Sequence, residues 1–269
     1  MAGTAVLSTI KSGFYSLHHS LMRGSFVNPP LIHPQKKLCL FFSQKSGCTF
    51  ATNWFFDQLG ILEDARNYST WVHHYRFDVY YKKQEYLQLI TRVLGDEYKR
   101  VKLVRSPYSR AVSSFIHAVK SNYLKDELSE FLDRPVDREH GFTFSEWVHF
   151  IDTTGVRKCN PHHRQQTERR EENGTLDFHA IIRLENSYDE FRRLEQEYGL
   201  KASDLDVLSK SEHHRNREPE EGFCGDRMHT QLDNTFNEYH AYYDDALKHM
   251  VAEIYHRDFS NYGYSVDKL

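Results

Sequence analysis

The 269-residue chain has only four cysteines, Cys39, Cys48, Cys159 and Cys224, and no Cys-x-x-Cys pair. So few thiols exclude a dense disulfide framework, and reduced cysteines fit a cytoplasmic address. An excess of one charge is also lacking, because 35 basic residues face 38 acidic ones for a formal net charge of −3. A polyanion such as DNA would meet no global positive field, so no nucleic-acid partner is expected and any anion site must be built locally. Long hydrophobic runs are missing as well. Lys11, His18, His19 and Arg23 interrupt the apolar residues of the first 27 positions, which predicts neither a signal peptide nor membrane insertion.

What is present is the composition of a folded protein, 39% hydrophobic and 14% aromatic, with no low-complexity run. The length suits one α/β domain over 1–269, with its core over about 38–265, an N-terminal extension over 1–36 and a lid loop over 209–226. Histidine is plentiful, with 17 copies. Cys159 stands three before His162, half of a zinc-ligand pattern, but no second Cys/His pair has ligand spacing and no zinc site is expected.

Lys37 to Phe42 is a short apolar run led by lysines and reads as a buried strand of a parallel sheet. A polar loop follows, and Phe50 to Leu59 then has helical spacing with Gly60 at its end. The design repeats: Val101–Val104 is strand-like, Ser106-Pro107 is an N-cap followed by proline at the first helical position, and Tyr108–Val119 continues as helix. Gln84–Leu94 reads as an amphipathic helix within the crossover between these strands. Thr143-Phe144-Ser145-Glu146 and Ser187-Tyr188-Asp189-Glu190 both fit capping boxes, and Phe178–Leu184 reads as a third strand between them. From Leu232 to Phe259, apolar residues at three- and four-residue steps predict one long helix. The fold expected is a three-layer, P-loop-like α/β unit with a mostly parallel central sheet flanked by helices.

Two loops carry chemistry. In Lys45-Ser46-Gly47-Cys48-Thr49, glycine lets the backbone wrap a ligand, free N–H groups at the helix start bind oxyanions, and lysine and threonine add a positive charge and a hydroxyl. In the second, Arg105 ends a strand, while Arg110 and Ser113 lie three apart on the following helix. Arginine suits a phosphate dianion through its two-pronged donor fork.

Together these loops resemble the PAPS-dependent sulfotransferases (PAPS, 3′-phosphoadenosine-5′-phosphosulfate), specifically the carbohydrate type and its soluble bacterial relatives. The likeness continues at Asn160–Gln166, Ile181–Glu185 and Ile254–Tyr264. It implies that Lys45, Ser46, Gly47, Cys48 and Thr49 hold the 5′-phosphosulfate, that Arg105 and Ser113 hold the 3′-phosphate, and that PAP is the product. Ser106 departs from the aspartate more usual in the family. The implied reaction transfers a sulfuryl group to a hydroxyl of a carbohydrate or small-molecule acceptor, without a metal. Lys45 is the residue to neutralise the leaving oxygen.

A general base is also needed, and histidine titrates nearest neutrality. His73, His74 and His162 compete, with His73 favoured and Glu185 ranked lower. Tyr75, Phe77, Tyr80 and Tyr81 are candidates to line an acceptor cleft. Two rival readings stay open. A nucleotide kinase of P-loop type would share the strand-loop-helix cradle, although Lys45 precedes the glycine instead of following it. A non-catalytic nucleotide-binding module would keep the cradle without turnover. Oligomeric state is left open by the sequence.

Overall fold

The computed structural model describes residues 28–137, 139–209, 222–231 and 238–269. Among these, four strands form one sheet in the order β1 (Leu31–His33), β2 (Leu38–Phe42), β3 (Lys99–Val104) and β4 (Ala180–Arg183). β1 pairs antiparallel with β2, and the β2–β3 and β3–β4 pairs are parallel. The architecture is therefore α/β, with a mostly parallel mixed sheet flanked by helices. All five residues of β2 are buried, the mark of an interior strand.

The crossover from β2 to β3 contains α1 (Cys48–Gln58), α2 (Leu62–Tyr68), α3 (Val72–Asp78) and α4 (Gln84–Leu89). That from β3 to β4 contains α5 (Pro107–Ser121), α6 (Lys125–Leu132), α7 (Phe144–Thr154) and the single turn α8 (Arg169–Glu172). After β4 come α9 (Ser187–Glu197), α10 (Leu205–Ser209), α11 (Asp245–Ile254) and α12 (His256–Tyr262).

Apolar side chains gather in two clusters. One packs the sheet against α1, α4 and α9 around Trp54, Phe55 and Phe191, and the other joins α5, α7, α11 and α12 around Phe115, Trp147 and Phe259. β3 explains part of this division through its alternation. Val101 and Leu103 belong to the first cluster. Arg100 and Lys102, also buried, meet polar partners: Arg100 Nη2 donates to Asp177 Oδ1 at 2.6 Å, and Lys102 Nζ donates to the Gln166 carbonyl at 2.7 Å and pairs with Glu171.

Several sequence expectations need correction. The long helix from Leu232 to Phe259 is instead a 3₁₀ turn at Tyr239–Tyr242 followed by α11 and α12, residues 232–237 lying outside the described ones. Asp244 starts α11 by accepting from Leu247 N at 2.8 Å, and Tyr255, outside helical geometry at φ −107° and ψ 23°, separates α11 from α12. The helix expected over Gln84–Leu94 stops at Leu89 and passes into a 3₁₀ turn. Ser187 makes no cap, because the chain enters α9 from a 3₁₀ turn over Leu184–Asn186 and Ser187 is already the first helical residue. Thr143 and Glu146 do form the capping box of α7. The lid loop expected over 209–226 falls largely on 210–221, and the N-terminal extension over 1–36 largely on 1–27, both outside the described residues.

Candidate active site

The first loop lies between β2 and α1. Lys45 adopts φ +66°, the left-handed region that non-glycine residues seldom enter, and Gly47 adopts φ +88°. A Cβ at position 47 would stand 2.5 Å from Leu184 Cδ1 and on a left-handed backbone, so glycine fits the loop beneath the end of β4 without strain. The buried Ser46 hydroxyl donates to the Ser43 carbonyl at 2.7 Å and tightens the turn. Gly47 offers no side-chain cap and the first turn of α1 holds no acidic residue. The leading N–H groups of an 11-residue helix thus remain available to an anion. Lys45 is half-buried, and its pKa is drawn below the usual lysine value by burial and by Arg105, Lys120 and Arg110, against an opposing influence of Cys48.

The second motif meets this loop directly. Arg105 Nη1 donates to the Lys45 carbonyl at 3.3 Å, and its Nε donates to Ser109 Oγ at 2.9 Å. Arg110, 1% exposed, donates from Nε to the Gln44 carbonyl at 3.0 Å, while its Nη2 is buried with no hydrogen-bond partner. Ser113 follows, half-buried, on the same side of α5. Pro107 takes the first helical position, but the Ser106 hydroxyl makes no cap. Its backbone N–H instead donates to Glu185 Oε1 at 2.8 Å, and Glu185 Oε2 accepts from Tyr264 OH at 2.9 Å. Glu185 thereby fastens the chain end to the start of α5.

The three histidines fall in different places. His73, on α3, is buried with its Nε2 3.2 Å from Thr49 Oγ1 and its Nδ1 unpartnered. Burial, reinforced by Arg76, His74 and Lys45, pushes its pKa down to about 2. His74 is exposed and turns to Ser69 Oγ at 2.9 Å, with no contact to the loop. His162 is half-buried, and its pKa falls to about 4 through burial, His117, Lys45 and Arg110. Its tautomer follows from its partner. Asn160 Oδ1 accepts from the His162 backbone N–H at 3.1 Å and lies 2.8 Å from Nδ1. Nδ1 must carry the proton, which leaves the Nε2 lone pair for other work.

Sequence reasoning missed the clamp behind Arg105. Gln166 accepts from the Arg105 N–H at 2.9 Å and donates to its carbonyl at 2.8 Å, while Asp258 accepts from the N–H groups of Gln166 and Thr167, each at 2.8 Å. Gln166 and Asp258 both lie in stretches that carry the resemblance, but no local pattern places an amide 61 residues away against a strand end. Of the aromatic residues considered for a cleft, Tyr75, Tyr80 and Tyr81 are core. Tyr80 OH bonds the backbone of Ile32, and Tyr81 OH donates to the Pro29 carbonyl at 2.6 Å. Phe77 is exposed.

Fold and loops together define an α/β protein in which buried cationic side chains and the open start of α1 gather at the ends of two parallel strands. A model of the sulfotransferase family matches residues 30–265, and the chain belongs to that family. No curated protein and no solved structure matches it. The family makes it a transferase. Among the described residues, no group of three or more His, Cys, Asp or Glu side chains is placed to hold a metal ion, and no helix is long and apolar enough to cross a membrane.

Proposed function

We propose that the protein transfers a sulfuryl group from PAPS to a hydroxyl of a carbohydrate or small-molecule acceptor, on a three-layer, P-loop-like frame. The observation that carries this reading is the contact between Arg105 Nη1 and the Lys45 carbonyl. It brings two motifs 60 residues apart into contact and supports reading them as one anion site. The donor set fits the two anionic ends of PAPS. Lys45 and the backbone N–H groups from Gly47 to Thr49 suit the 5′-phosphosulfate, and Arg105 with Ser113 suits the 3′-phosphate. The unpartnered Nη2 of Arg110, buried under the loop, adds fixed positive potential.

PAPS supplies an activated sulfuryl group whose bond to a phosphate oxygen breaks as an acceptor oxygen attacks in line. The residues position and neutralise. Lys45 and the α1 N–H groups oppose the charge that grows on the departing phosphate oxygen. His73 or His162 takes the hydroxyl proton. Both are neutral at pH 7, the first touching Thr49 and the second offering Nε2.

A kinase reading finds less support. The Ser46 hydroxyl that would serve magnesium is buried and committed to the Ser43 carbonyl. The test is thermal unfolding with PAP, with ATP plus magnesium, and with PAP on Arg105→Ala. PAP should raise the Tm of the natural protein, ATP should not match it, and Arg105→Ala should weaken PAP by about 10- to 100-fold, the scale of a charge-assisted pair. Stabilisation by ATP without PAP would transfer the site to the kinases. Saturable PAP binding with no turnover across hydroxyl acceptors would make the chain a binding module.

A further inference from the structure

Beside His73, one turn along α3, lies a charge that neither motif uses. Arg76 is 6% exposed, and its Nε and Nη1 are buried with no hydrogen-bond partner. Among the described residues no carboxylate pairs with it. Its guanidinium carbon sits 4.4 Å from the Phe77 ring centroid, 5.1 Å from that of Phe42 and 5.8 Å from that of Tyr81. Aromatic faces attract the face of the cation. They leave the Nε and Nη1 N–H groups, which radiate in the guanidinium plane, without acceptors. A structural arginine buried this deeply would normally have a carboxylate or carbonyls at that edge, because an unpaired buried charge is costly.

The surroundings point outward. Phe77 is exposed, and so are Tyr68 and Trp71 at the end of α2 and the start of α3. The Trp71 ring lies edge-on to both His73 and His74, with centroids 5.1 and 4.7 Å away. A buried guanidinium with two unpartnered nitrogens, a candidate base and an exposed aromatic border therefore share three turns of chain. His73 connects them to the cradle through Thr49.

We infer that Arg76 is a specificity-determining residue that binds an oxyanion carried by the acceptor, so that the hydroxyl presented at His73 belongs to an acidic molecule. This rests on the sulfotransferase reading and narrows its substrate class. The guanidinium edge takes a carboxylate, sulfate or phosphate in two-pronged fashion, and the Trp71 and Phe77 rings offer apolar faces to the C–H surface of a saccharide.

The test uses the full chain saturated with PAP and three probes: a glucuronate-containing oligosaccharide, its carboxyl-reduced counterpart and a neutral-backbone oligosaccharide bearing sulfate esters. Binding is measured by calorimetry for the natural protein, Arg76→Gln and Arg76→Lys. One or both acidic probes should bind, the one that does naming the oxyanion, while the carboxyl-reduced probe should not. Arg76→Gln should lose about 10- to 100-fold in affinity, with Arg76→Lys between, since lysine keeps the charge without the fork. An unchanged PAP-induced Tm shift in both variants shows that they fold and hold PAP. Equal binding of all three probes, binding of none, or natural affinity in Arg76→Gln with the PAP shift intact overturns the inference. Failure of PAP to shift the natural protein would instead overturn the sulfotransferase reading beneath it.

Discussion

At the scale of single residues, the candidate site keeps His73 and His162 neutral by surrounding them with apolar bulk and like charge. A histidine in water loses its proton near pH 6.5, so a base of that kind would give kcat/KM an acid limb there. Here the limb should move. Protonation of His162, near pH 4, removes the Nε2 lone pair, so kcat/KM should stay level from pH 7 to about 5 and then fall if His162 is the base. With His73 as base, whose pKa is about 2, no acid limb should appear before the protein unfolds. His162→Ala and His73→Ala separate the two. A limb at 6.5 would remove both from the role.

The same burial makes stability depend on pH with a definite sign. His73 and His163, 4% and 0% exposed, titrate near 2 and 3 when folded and near 6.5 when unfolded. Below pH 6.5 the unfolded chain therefore binds protons that the folded chain refuses, and stability falls with falling pH. Each contributes about 1.4 kcal/mol per pH unit once fully engaged. Urea unfolding at pH 7, 6 and 5 should show this loss, and His163→Gln should reduce the slope by about one proton. A slope unchanged by that replacement would mean that His163 charges freely in the folded protein.

Among the elements, the loop joining β2 to α1 is tightly constrained at Gly47. Gly47→Ala places a methyl group 2.5 Å from Leu184 Cδ1 and forces alanine to φ +88°. It should cost about 1 to 3 kcal/mol in stability and abolish PAP binding, because the loop must open where its N–H groups converge. Denaturant midpoints and the PAP-induced Tm shift read both effects. Retained PAP binding in this variant would show that the loop does not grip the nucleotide.

The legible elements were those whose cause is local. β2 and β3 announce themselves by apolar runs, α7 by Thr143 and Glu146, and α5 by Pro107. β1 did not, because three residues carry no period and Leu31 is a strand residue only through its register with Leu40. The C-terminal helix was read as continuous because α11 and α12 both bury residues at helical spacing, and periodicity does not register the break at Tyr255. The strand-loop-helix form of the two motif segments was readable for the reason β2 was. The Gln166 clamp, the Glu185 tie to Tyr264 and the uncompensated Arg76 exist only across long separations or in three dimensions.

On the scale of the molecule, the candidate site sits where the two apolar clusters meet. The Lys45 loop leads into α1, which packs in the first cluster, and Arg105 leads into α5, which packs in the second. Behind them, Gln166 and Asp258 bind α12 to the end of β3 through hydrogen bonds. A ligand that bridges the loops adds its binding energy to this junction, not to one cluster alone. PAP at 100 times its Kd should add about 2.7 kcal/mol, or on the order of 5 to 10 °C in Tm. Unfolding followed by tryptophan fluorescence and by circular dichroism should give one coincident transition that PAP displaces as a whole. Two transitions, of which PAP moves one, would show that the clusters unfold separately and that the nucleotide is held by a single half. The contact of Arg105 with Lys45 would then be incidental to binding, and the two motifs would not form one site.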